Sequence, residues 1–380
     1  MGFQSLWRPQ PFKTETPDWC ADYPALTSEL LGLDDDTIDR LSIDNPGLIG
    51  QLARHVPELA ELAPLIDLPM PAATAPPGDD PPRLFADIPG RKQAQIEAYA
   101  AALGQPRAPL LEWCAGKGHL GRLLAHRWHW PVASLEIDPA LCDAGEILAS
   151  HAHVDCMQHF IRADALAETS LPHLTGRHAI ALHACGDLHT RLIEAGVDKD
   201  SPALDVAPCC YYRTAHATYR PFNETPLELT RDDLRLAVTE TVTASAKQRR
   251  QSRQALAWKL GWTELRKAAT GETGYRPFPP VPDAWLRGSF EAFSERMAER
   301  AGLSLQVDDL GAYETRGRRR AACMLRLQLV RLAFRRPLEI WLLMDMAVFL
   351  EKRGYAVAVR PFCAATLTPR NLLLSARRYT

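Results

Sequence analysis

The residues with the clearest chemical pattern are three glycines that follow an apolar stretch, Gly116, Gly118 and Gly121 in LLEWCAGKGHLG. Glycines at this spacing let the backbone turn tightly between a strand and a helix, and they let a ligand approach amide groups at the helix amino terminus. Glu136 stands 20 positions after Gly116 and lies near the end of the next apolar stretch. A carboxylate at that offset can hold ribose hydroxyls, so the combination predicts a nucleotide-type cofactor.

Two further carboxylates favour one such cofactor over another. Glu112 precedes the glycines, where a dinucleotide dehydrogenase normally has an apolar strand residue, and Asp164 follows the third apolar stretch. In a methyltransferase the first carboxylate can organise the loop and the ammonium end of S-adenosylmethionine, and the last can accept a hydrogen bond from the adenine amino group. One carboxylate after a strand is also a common helix cap, but three in succession favour S-adenosylmethionine over NAD. The predicted cofactor-binding residues are Glu112, Cys114, Gly116, Gly118, Glu136 and Asp164.

A largely parallel sheet is needed to position these residues. Short apolar stretches alternate with helical ones, which is typical of βαβ units. The predicted strands are 110–113, 132–137, 157–161, 179–183 and 204–206. A helix at 338–352 and two strands at 355–361 and 372–375 follow, and that pair can close the sheet edge as an antiparallel hairpin. The predicted fold class is therefore α/β, with a doubly wound, Rossmann-like sheet.

At these motifs the chain resembles a known group of proteins. The runs EWCAGKGHLG, HACGDL (183–188), PCCYY (208–212) and TPRN (368–371) are similar to blocks of one methyltransferase-domain family. That family includes the eukaryotic tRNA position-four 2′-O-methyltransferases, the methyltransferase-like 25 proteins and the glutathione S-transferase C-terminal domain-containing proteins. The resemblance extends from about Ile88 to the carboxyl terminus. It implies an S-adenosylmethionine-dependent enzyme with the class I fold, whose seven-stranded sheet ends in an antiparallel hairpin. One departure is Tyr212, which stands where the family more usually has histidine.

Four cysteines follow or end predicted strands: Cys114 after the first, Cys185 after the fourth, and Cys209 and Cys210 after the fifth. In a sheet ordered 3-2-1-4-5 the carboxyl ends of these strands are neighbours. Three interpretations stay open. Cys209 or Cys210 can be a covalent nucleophile, as in RNA cytosine-C5 methyltransferases; the thiols can hold a soft metal ion; or they can simply pack against the sheet and the cofactor.

The predicted catalytic residues are Cys209, Cys210, His183 and Asp187. His183 and Asp187 can orient or deprotonate an acceptor, and both can equally be structural. No residue is assigned to a metal. Tyr211 and Tyr212 follow the thiols, where an aromatic ring can stack on a flipped base or pack in the core.

The net charge of −2 conceals an uneven distribution along the chain. Residues 1–90 contain 5 basic and 15 acidic residues, whereas 244–336 contain 19 basic and 9 acidic residues. We therefore predict an acidic helical amino-terminal unit (1–68), a Pro-rich linker (69–85), a methyltransferase core (86–214 and 325–380) and a basic helical insertion (215–324). Because the acidic unit and the basic insertion can attract each other, the former can cover a nucleic-acid site.

The basic insertion suggests the acceptor. It brings Arg249 and Arg250 together with Trp258 and Trp262, and guanidinium groups match phosphate geometry while aromatic rings stack unpaired bases. Such a run is also typical of a solvated face. We expect structured RNA, tRNA or rRNA, as the acceptor, with Arg249 and Arg250 binding it. The alternatives are a methyltransferase acting on a protein or small molecule, and a non-catalytic protein that binds RNA or a partner.

The same sequence indicates where the protein works. The longest apolar run, 337–350, is too short to span a bilayer, and the amino terminus lacks a signal-peptide pattern. Nine cysteines without a CxxC pair do not form a recognisable disulfide framework. We expect a cytoplasmic protein with reduced thiols, no membrane association and no obligate protein partner.

Overall fold

The computed structural model describes residues 3–70, 80–239, 246–305 and 309–379. The chain forms two compact units, each made of two segments. The helical unit comprises Met1–Ala63 and Thr243–Phe334, and the sheet unit comprises Pro64–Val242 and Arg335–Thr380. Residues 71–79 of the predicted Pro-rich linker lie outside the described residues.

Helices and strands account for most of the described chain. The α-helices are α1 (Gln4–Trp7), α2 (Trp19–Asp22), α3 (Pro24–Leu31), α4 (Asp35–Leu41), α5 (Asn45–Leu52), α6 (Leu62–Ile66), α7 (Gly90–Leu103), α8 (His119–Trp128), α9 (Pro139–His151), α10 (Asp187–Asp198), α11 (Arg231–Ala237), α12 (Ala246–Thr270), α13 (Phe290–Ala301), α14 (Leu310–Leu332) and α15 (Arg335–Glu351). The strands are β1 (Leu110–Trp113), β2 (Val132–Glu136), β3 (Gln158–Arg162), β4 (His178–Cys185), β5 (Ala203–Cys209), β6 (Tyr355–Pro361) and β7 (Leu372–Arg378). Short 3-10 helices cover Pro57–Glu61, Pro82–Phe85, Glu168–Leu174 and Asp283–Leu286.

The sheet unit is built on one seven-stranded sheet in the order β3-β2-β1-β4-β5-β7-β6. Strands β1 to β5 are parallel to one another, and β7 lies antiparallel between β5 and β6. All residues of β1, β2 and β5 are buried, as expected for parallel strands with helices on both faces. This topology confirms the predicted α/β class, the 3-2-1-4-5 order and the carboxyl-terminal hairpin.

Strands β4 and β5 are longer than the sequence pattern indicates. Both continue to a cysteine, because Cys185 pairs directly with Cys209 in the ladder. The register shifts between Leu182 and Ala184, so a bulge at His183 interrupts β4 without ending it. The ends of both strands contain polar and small residues, so the apolar pattern predicts shorter strands than the structure has.

A buried ionic cluster joins three strands of the sheet. Asp205 on β5 is fully buried and accepts hydrogen bonds from His178 Nε2 on β4 at 2.6 Å and from the Arg377 guanidinium on β7 at 2.7 Å. The Tyr99 hydroxyl on α7 donates to the Asp205 carbonyl oxygen at 2.5 Å. These bonds outweigh the effect of burial and hold the pKa of the Asp205 carboxyl below its usual range.

The helical unit is organised around the contact between α12 and α14. The two helices approach closely at glycines: a Cβ at Gly317 would lie 2.5 Å from the Gly261 nitrogen. One core cluster of this unit consists of Trp258, Trp262, Leu265, Phe290, Phe293, Met297 and Ala298. Trp258 and Trp262 are each 3% exposed, so their faces pack in the core and are not available to stack on bases, which corrects that expectation.

Helices α3, α4 and α5 also pack against α14, which places the acidic amino-terminal residues and the basic segment in one unit. Arg253 bonds to Asp35 at 3.0 Å and to Asp39 at 2.6 Å, and Arg249 lies 3.2 Å from Asp39. Residues 215–242, which the sequence analysis places in the insertion, belong to the sheet unit. Within the described ranges, no helix is both long and apolar enough to cross a membrane.

Candidate cofactor and acceptor site

The glycine loop connects β1 to α8. Gly116 and Gly118 both have left-handed backbones, with φ of +59° and +60°. At Gly118 a Cβ would lie 2.6 Å from the Phe160 ring, so only glycine fits, whereas at Gly116 a Cβ would meet nothing within 4 Å. The loop is therefore packed on the Gly118 side and has open space beside Gly116, where a ligand can approach the backbone.

A buried network of polar side chains on β1, β2 and β3 supports this loop. The Ser134 hydroxyl on β2 donates to the Glu112 carboxylate on β1 at 2.8 Å. Gln158 on β3 donates to the Ser134 oxygen at 2.9 Å and to the Gly118 carbonyl at 2.8 Å. A Cβ at Gly121 would lie 2.5 Å from the Glu112 carboxylate, so the third glycine allows this approach. Burial raises the pKa of Glu112 to about 7, although the Ser134 hydrogen bond opposes the rise.

Glu136 ends β2 and holds the loop from its side. One carboxylate oxygen accepts a hydrogen bond from the Gly116 amide at 2.9 Å, and the other accepts from the amides of Ile137 at 3.0 Å and Asp138 at 3.1 Å. The Glu136 carboxylate, which is predicted to bind the ribose, is thus fixed next to Gly116. The remaining lone pairs of its oxygens can accept hydroxyl donors.

The third predicted carboxylate, Asp164, is exposed after β3 and accepts a hydrogen bond from the Leu166 amide at 2.9 Å. Two apolar side chains lie close to these carboxylates in sequence and face solvent: Ile137 is 61% exposed and Leu166 is 47% exposed. Exposed apolar groups beside hydrogen-bond acceptors suit a planar, partly polar ring such as a purine. Neither residue is among the predicted site residues. Ile137 is predicted as the last residue of its strand, and its position directly after Glu136 is the available signal.

Three of the seven non-glycine residues with positive φ in the described part of the chain lie at or near the carboxyl ends of β1, β4 and β5. Cys114, His183 and Cys210 have φ of +58°, +68° and +45°, which non-glycine residues rarely adopt. Such strain persists only where surrounding structure fixes it, and it clusters at functional sites. Three of the residues selected from the sequence therefore share an unusual backbone conformation.

The structure brings three of the four strand-end thiols together. The sulfurs of Cys185, Cys209 and Cys210 all lie within 4.8 Å of one another, and those of Cys185 and Cys209 are 3.1 Å apart. The Cys209 thiol lowers the pKa of Cys185 to about 6, while the pKa values of Cys209 and Cys210 are raised, by the Cys185 sulfur and by burial respectively. Cys185 is thus the most easily ionised of these thiols, although the sequence analysis gave it no catalytic role. Burial raises the pKa of Cys114 to about 12.

The two predicted acid-base residues have protein partners. His183 is half-buried, and its Nε2 donates to the Gln95 side-chain oxygen at 2.9 Å. Burial lowers the pKa of His183 to about 4, so the ring is neutral near pH 7. The Gln95 amide in turn donates to the Leu367 carbonyl at 3.3 Å, which links His183 to the residue before the TPRN motif. Asp187 accepts from the Ala215 amide at 2.7 Å and so holds the loop after β5.

The four predicted substrate-binding residues lie in different surroundings. Tyr211 is 3% exposed and packs edge-on against His189, with ring centroids 5.3 Å apart, so its face is not open to a base. Tyr212 is half-buried beneath the Arg235 guanidinium, which lies 5.1 Å from the ring centroid. Arg249 and Arg250 are on α12 of the helical unit; Arg249 pairs with an acidic residue of α4, and Arg250 is exposed. These assignments stay predictions.

Comparison with known proteins agrees with this architecture. Residues 91–217 match a family model described as a methyltransferase domain. The matched segment begins in α7, contains β1 to β5 and includes every predicted cofactor-binding residue. Over these residues the match agrees with the predicted methyltransferase class, and the sheet order confirms the predicted class I fold.

Individual relatives are distant. The chain is 28% identical over 126 residues to a glutathione S-transferase C-terminal domain-containing protein from Xenopus laevis, an alignment covering 32% of this chain and 19% of that protein. Magnesium protoporphyrin IX methyltransferase (ChlM) from Synechocystis PCC 6803 with bound SAH is similar at a TM-score of 0.34 and 11% identity, covering 78% of this chain and 92% of that one. The 23S rRNA methyltransferase ErmE is similar at a TM-score of 0.26 and 15% identity, covering 62% and 98%. The chain spans about a fifth of the curated relative, and at TM-scores this low neither structure bears on the acceptor.

Proposed function

We propose that the chain is an S-adenosylmethionine-dependent methyltransferase, that it acts on structured RNA in the cytoplasm, and that its helical unit contacts the RNA. The observation that carries the proposal is a cavity of about 750 Å³ in the helical unit, whose charged lining residues are Arg250, Arg253, Arg318, Asp35 and Glu314. Guanidinium groups pair with phosphate, and a cavity of this size admits a nucleotide. Arg253 and Arg318 also pair with acidic residues, so the exposed Arg250 is the arginine whose charge contributes most.

We assign the cofactor to the carboxyl ends of β1, β2 and β3. When bound, S-adenosylmethionine supplies a methyl group activated by its sulfonium charge. The open side of Gly116 accommodates the methionyl part, Glu136 accepts from the ribose hydroxyls, and Asp164 accepts from the adenine amino group. Ile137 and Leu166 supply apolar contacts to the adenine ring. The fit is supported by the exposed apolar side chains and the fixed carboxylate beside the loop.

The acceptor is assigned to the ends of β4 and β5. Methyl transfer depends more on alignment of the acceptor than on strong acid-base help, because the methyl group is displaced in line. His183 suits this role because the Gln95 bond fixes its ring while the strained backbone fixes its position. Asp187 acts as a positioning residue through the loop it holds.

The acceptor class is tested by transfer of a tritiated methyl group from labelled cofactor to fractionated RNA, protein and small molecules from the source cell. We expect label in RNA of defined structure. Label confined to protein or to small molecules would reject the RNA proposal and favour the second class of enzyme. Binding of S-adenosylmethionine in a calorimetric titration without transfer to any fraction would favour a non-catalytic binding protein.

The contribution of the cavity is tested by Arg250→Ala. Loss of one phosphate contact should weaken RNA binding in gel-shift titrations and reduce the slope of log affinity against log salt by about 1. The matched control is Arg83→Ala, which removes an exposed arginine from the sheet unit. Equal salt slopes for the two variants would contradict the assignment of this cavity to RNA.

A further inference from the structure

The thiol cluster at the ends of β4 and β5 is not explained by methyl transfer. We propose that Cys185, Cys209 and Cys210 bind one divalent cation that prefers sulfur ligands, namely Zn²⁺. The three cysteines fill three of its coordination positions, and the fourth stays open. No residue is a predicted metal ligand from the sequence, where a soft-metal site is one of three interpretations of the strand-end cysteines. This inference does not rest on the RNA acceptor, since it concerns only the cysteines and the backbone that holds them.

The positions of the sulfurs are suitable for zinc. Tetrahedral zinc with Zn–S bonds of about 2.3 Å needs sulfurs about 3.8 Å apart. The three sulfurs lie within 4.8 Å of one another, and the pair on adjacent strands is at 3.1 Å, so modest side-chain rotations give the required spacing. Among the described residues, no other group of three or more His, Cys, Asp or Glu side chains brings its ligand atoms this close.

The backbone fixes these positions independently of any ion. Cys185 and Cys209 are direct partners in the β4–β5 ladder, and the Gly186 amide donates to the Cys209 carbonyl at 3.1 Å. The Arg213 amide donates to the Cys210 carbonyl at 2.8 Å, so the chain turns back over Gly186. A Cβ at Gly186 would overlap the Arg213 carbonyl, and only glycine permits this turn. The three cysteines are therefore held in place by the fold, as a metal site requires.

The chemistry of the donor set selects the type of ion. Thiolates are soft ligands that favour Zn²⁺ over Mg²⁺ or Ca²⁺. Three thiolates around a divalent cation carry a net charge of −1, which the neighbouring Arg213 guanidinium offsets. Three protein ligands and one open position are typical of zinc sites that bind water or a substrate group. Cys185 and Cys210 are only half-buried, so solvent can reach that fourth position.

A disulfide between Cys185 and Cys209 is the main competing use of these thiols. It would leave the Cys210 thiol without a role, although its sulfur lies within 4.8 Å of the other two and its backbone has a strained φ of +45°. A site for three sulfurs accounts for the third cysteine and its backbone conformation, and a disulfide accounts for only two of them.

The experiment uses the full chain purified under reducing conditions, without RNA or cofactor. We expect one Zn²⁺ per chain by mass spectrometric metal analysis, and titration with Co²⁺ should give thiolate-to-cobalt charge-transfer absorption in the near ultraviolet. Cys185→Ser and Cys210→Ser should each weaken metal binding at least about 100-fold, since even the loss of outer-shell partners costs 10- to 100-fold. The control Cys363→Ser, at a buried thiol in the same unit, should bind metal like the wild type.

Circular dichroism of each variant distinguishes loss of a ligand from loss of the fold. Cys210→His adds a further test, because imidazole is also a zinc ligand and should restore binding that serine abolishes. Zinc content in Cys210→Ser equal to that of the wild type would overturn the proposal. So would a reduced wild-type chain that binds neither Zn²⁺ nor Co²⁺. Because neither RNA nor methyl transfer enters these measurements, their outcome is independent of the proposed function.

Discussion

Replacing Glu112 with glutamine should change how stability depends on pH. The carboxyl is 5% exposed beneath the glycine loop, and burial raises its pKa from 4.5 to about 7. The folded chain therefore retains a proton that the unfolded chain releases above about pH 4.5. Stability associated with this group is fully present below pH 4.5 and is lost as the pH rises through 7.

The size of the effect follows from the two pKa values. A difference of about 2.5 pH units at about 1.4 kcal/mol per unit gives a cost of about 3 kcal/mol for ionised Glu112 at alkaline pH. About 2.5 kcal/mol of this cost develops between pH 5 and pH 8. Glutamine keeps the shape and can still accept from the Ser134 hydroxyl, but it cannot ionise. Glu112→Gln should thus gain about 2.5 kcal/mol relative to the wild type between pH 5 and pH 8.

Urea unfolding at both pH values, followed by circular dichroism and tryptophan fluorescence, measures this difference. Comparing variant with wild type cancels the contributions of His119 and His189, whose lowered pKa values make stability rise with pH up to about 6.5. The matched control is Glu351→Gln, which neutralises an exposed glutamate at the end of α15 and should show no pH-dependent gain. If the difference between Glu112→Gln and wild type were the same at pH 5 and pH 8, the account of a buried, proton-retaining carboxyl would be refuted.

Three further substitutions test other parts of the sheet unit. Asp205→Asn should lower the free energy of unfolding by about 3–5 kcal/mol in urea titrations, because it leaves the His178 ring and the Arg377 guanidinium without their buried carboxylate; a loss below 1 kcal/mol would contradict this. Gly118→Ala should abolish cofactor binding in calorimetric titrations, whereas Gly302→Ala, with the same left-handed backbone (φ +64°) but open space for its Cβ, should cost only about 1–2 kcal/mol of stability; equal behaviour of the two variants would argue against the packing explanation. Glu136→Gln should weaken cofactor affinity about 10-fold through loss of charge-assisted hydrogen bonds, and unchanged affinity would remove this residue from the ribose site.

Much of the sheet unit was predictable from the sequence because its signals are local. Short apolar stretches separated by helical ones give β1 and β6 their observed bounds. The glycine pattern and the offset to Glu136 depend on nearby backbone geometry, and the structure joins the two by a hydrogen bond from Gly116 to that carboxylate. Strand bounds and glycine turns depend on few long-range contacts, so the local sequence predicts them.

Contacts between residues far apart in the sequence were harder to predict. Nothing local in the sequence shows that Ser134 and Gln158 join Glu112 in one network, since each is an ordinary polar residue within a strand. Trp258 resembles an exposed stacking residue because arginines precede it, yet it faces the core formed with α13. Ile137 differs from its prediction in the opposite way. Its apolar side chain indicates burial, but the residue lies one position beyond the strand and faces solvent.

The helical unit joins residues 1–63 to residues 243–334, and this has a consequence for synthesis on the ribosome. Helices α3, α4 and α5 pack on α14, which ends at Leu332, so their apolar faces must wait for about 270 further residues. At about 5–20 residues per second this delay is roughly 15–50 s, during which the whole first segment of the sheet unit emerges. Residues 1–63 contain 11 acidic and 4 basic residues. We expect this excess of negative charge to keep helices α3, α4 and α5 soluble until the basic segment 243–334 has been synthesised.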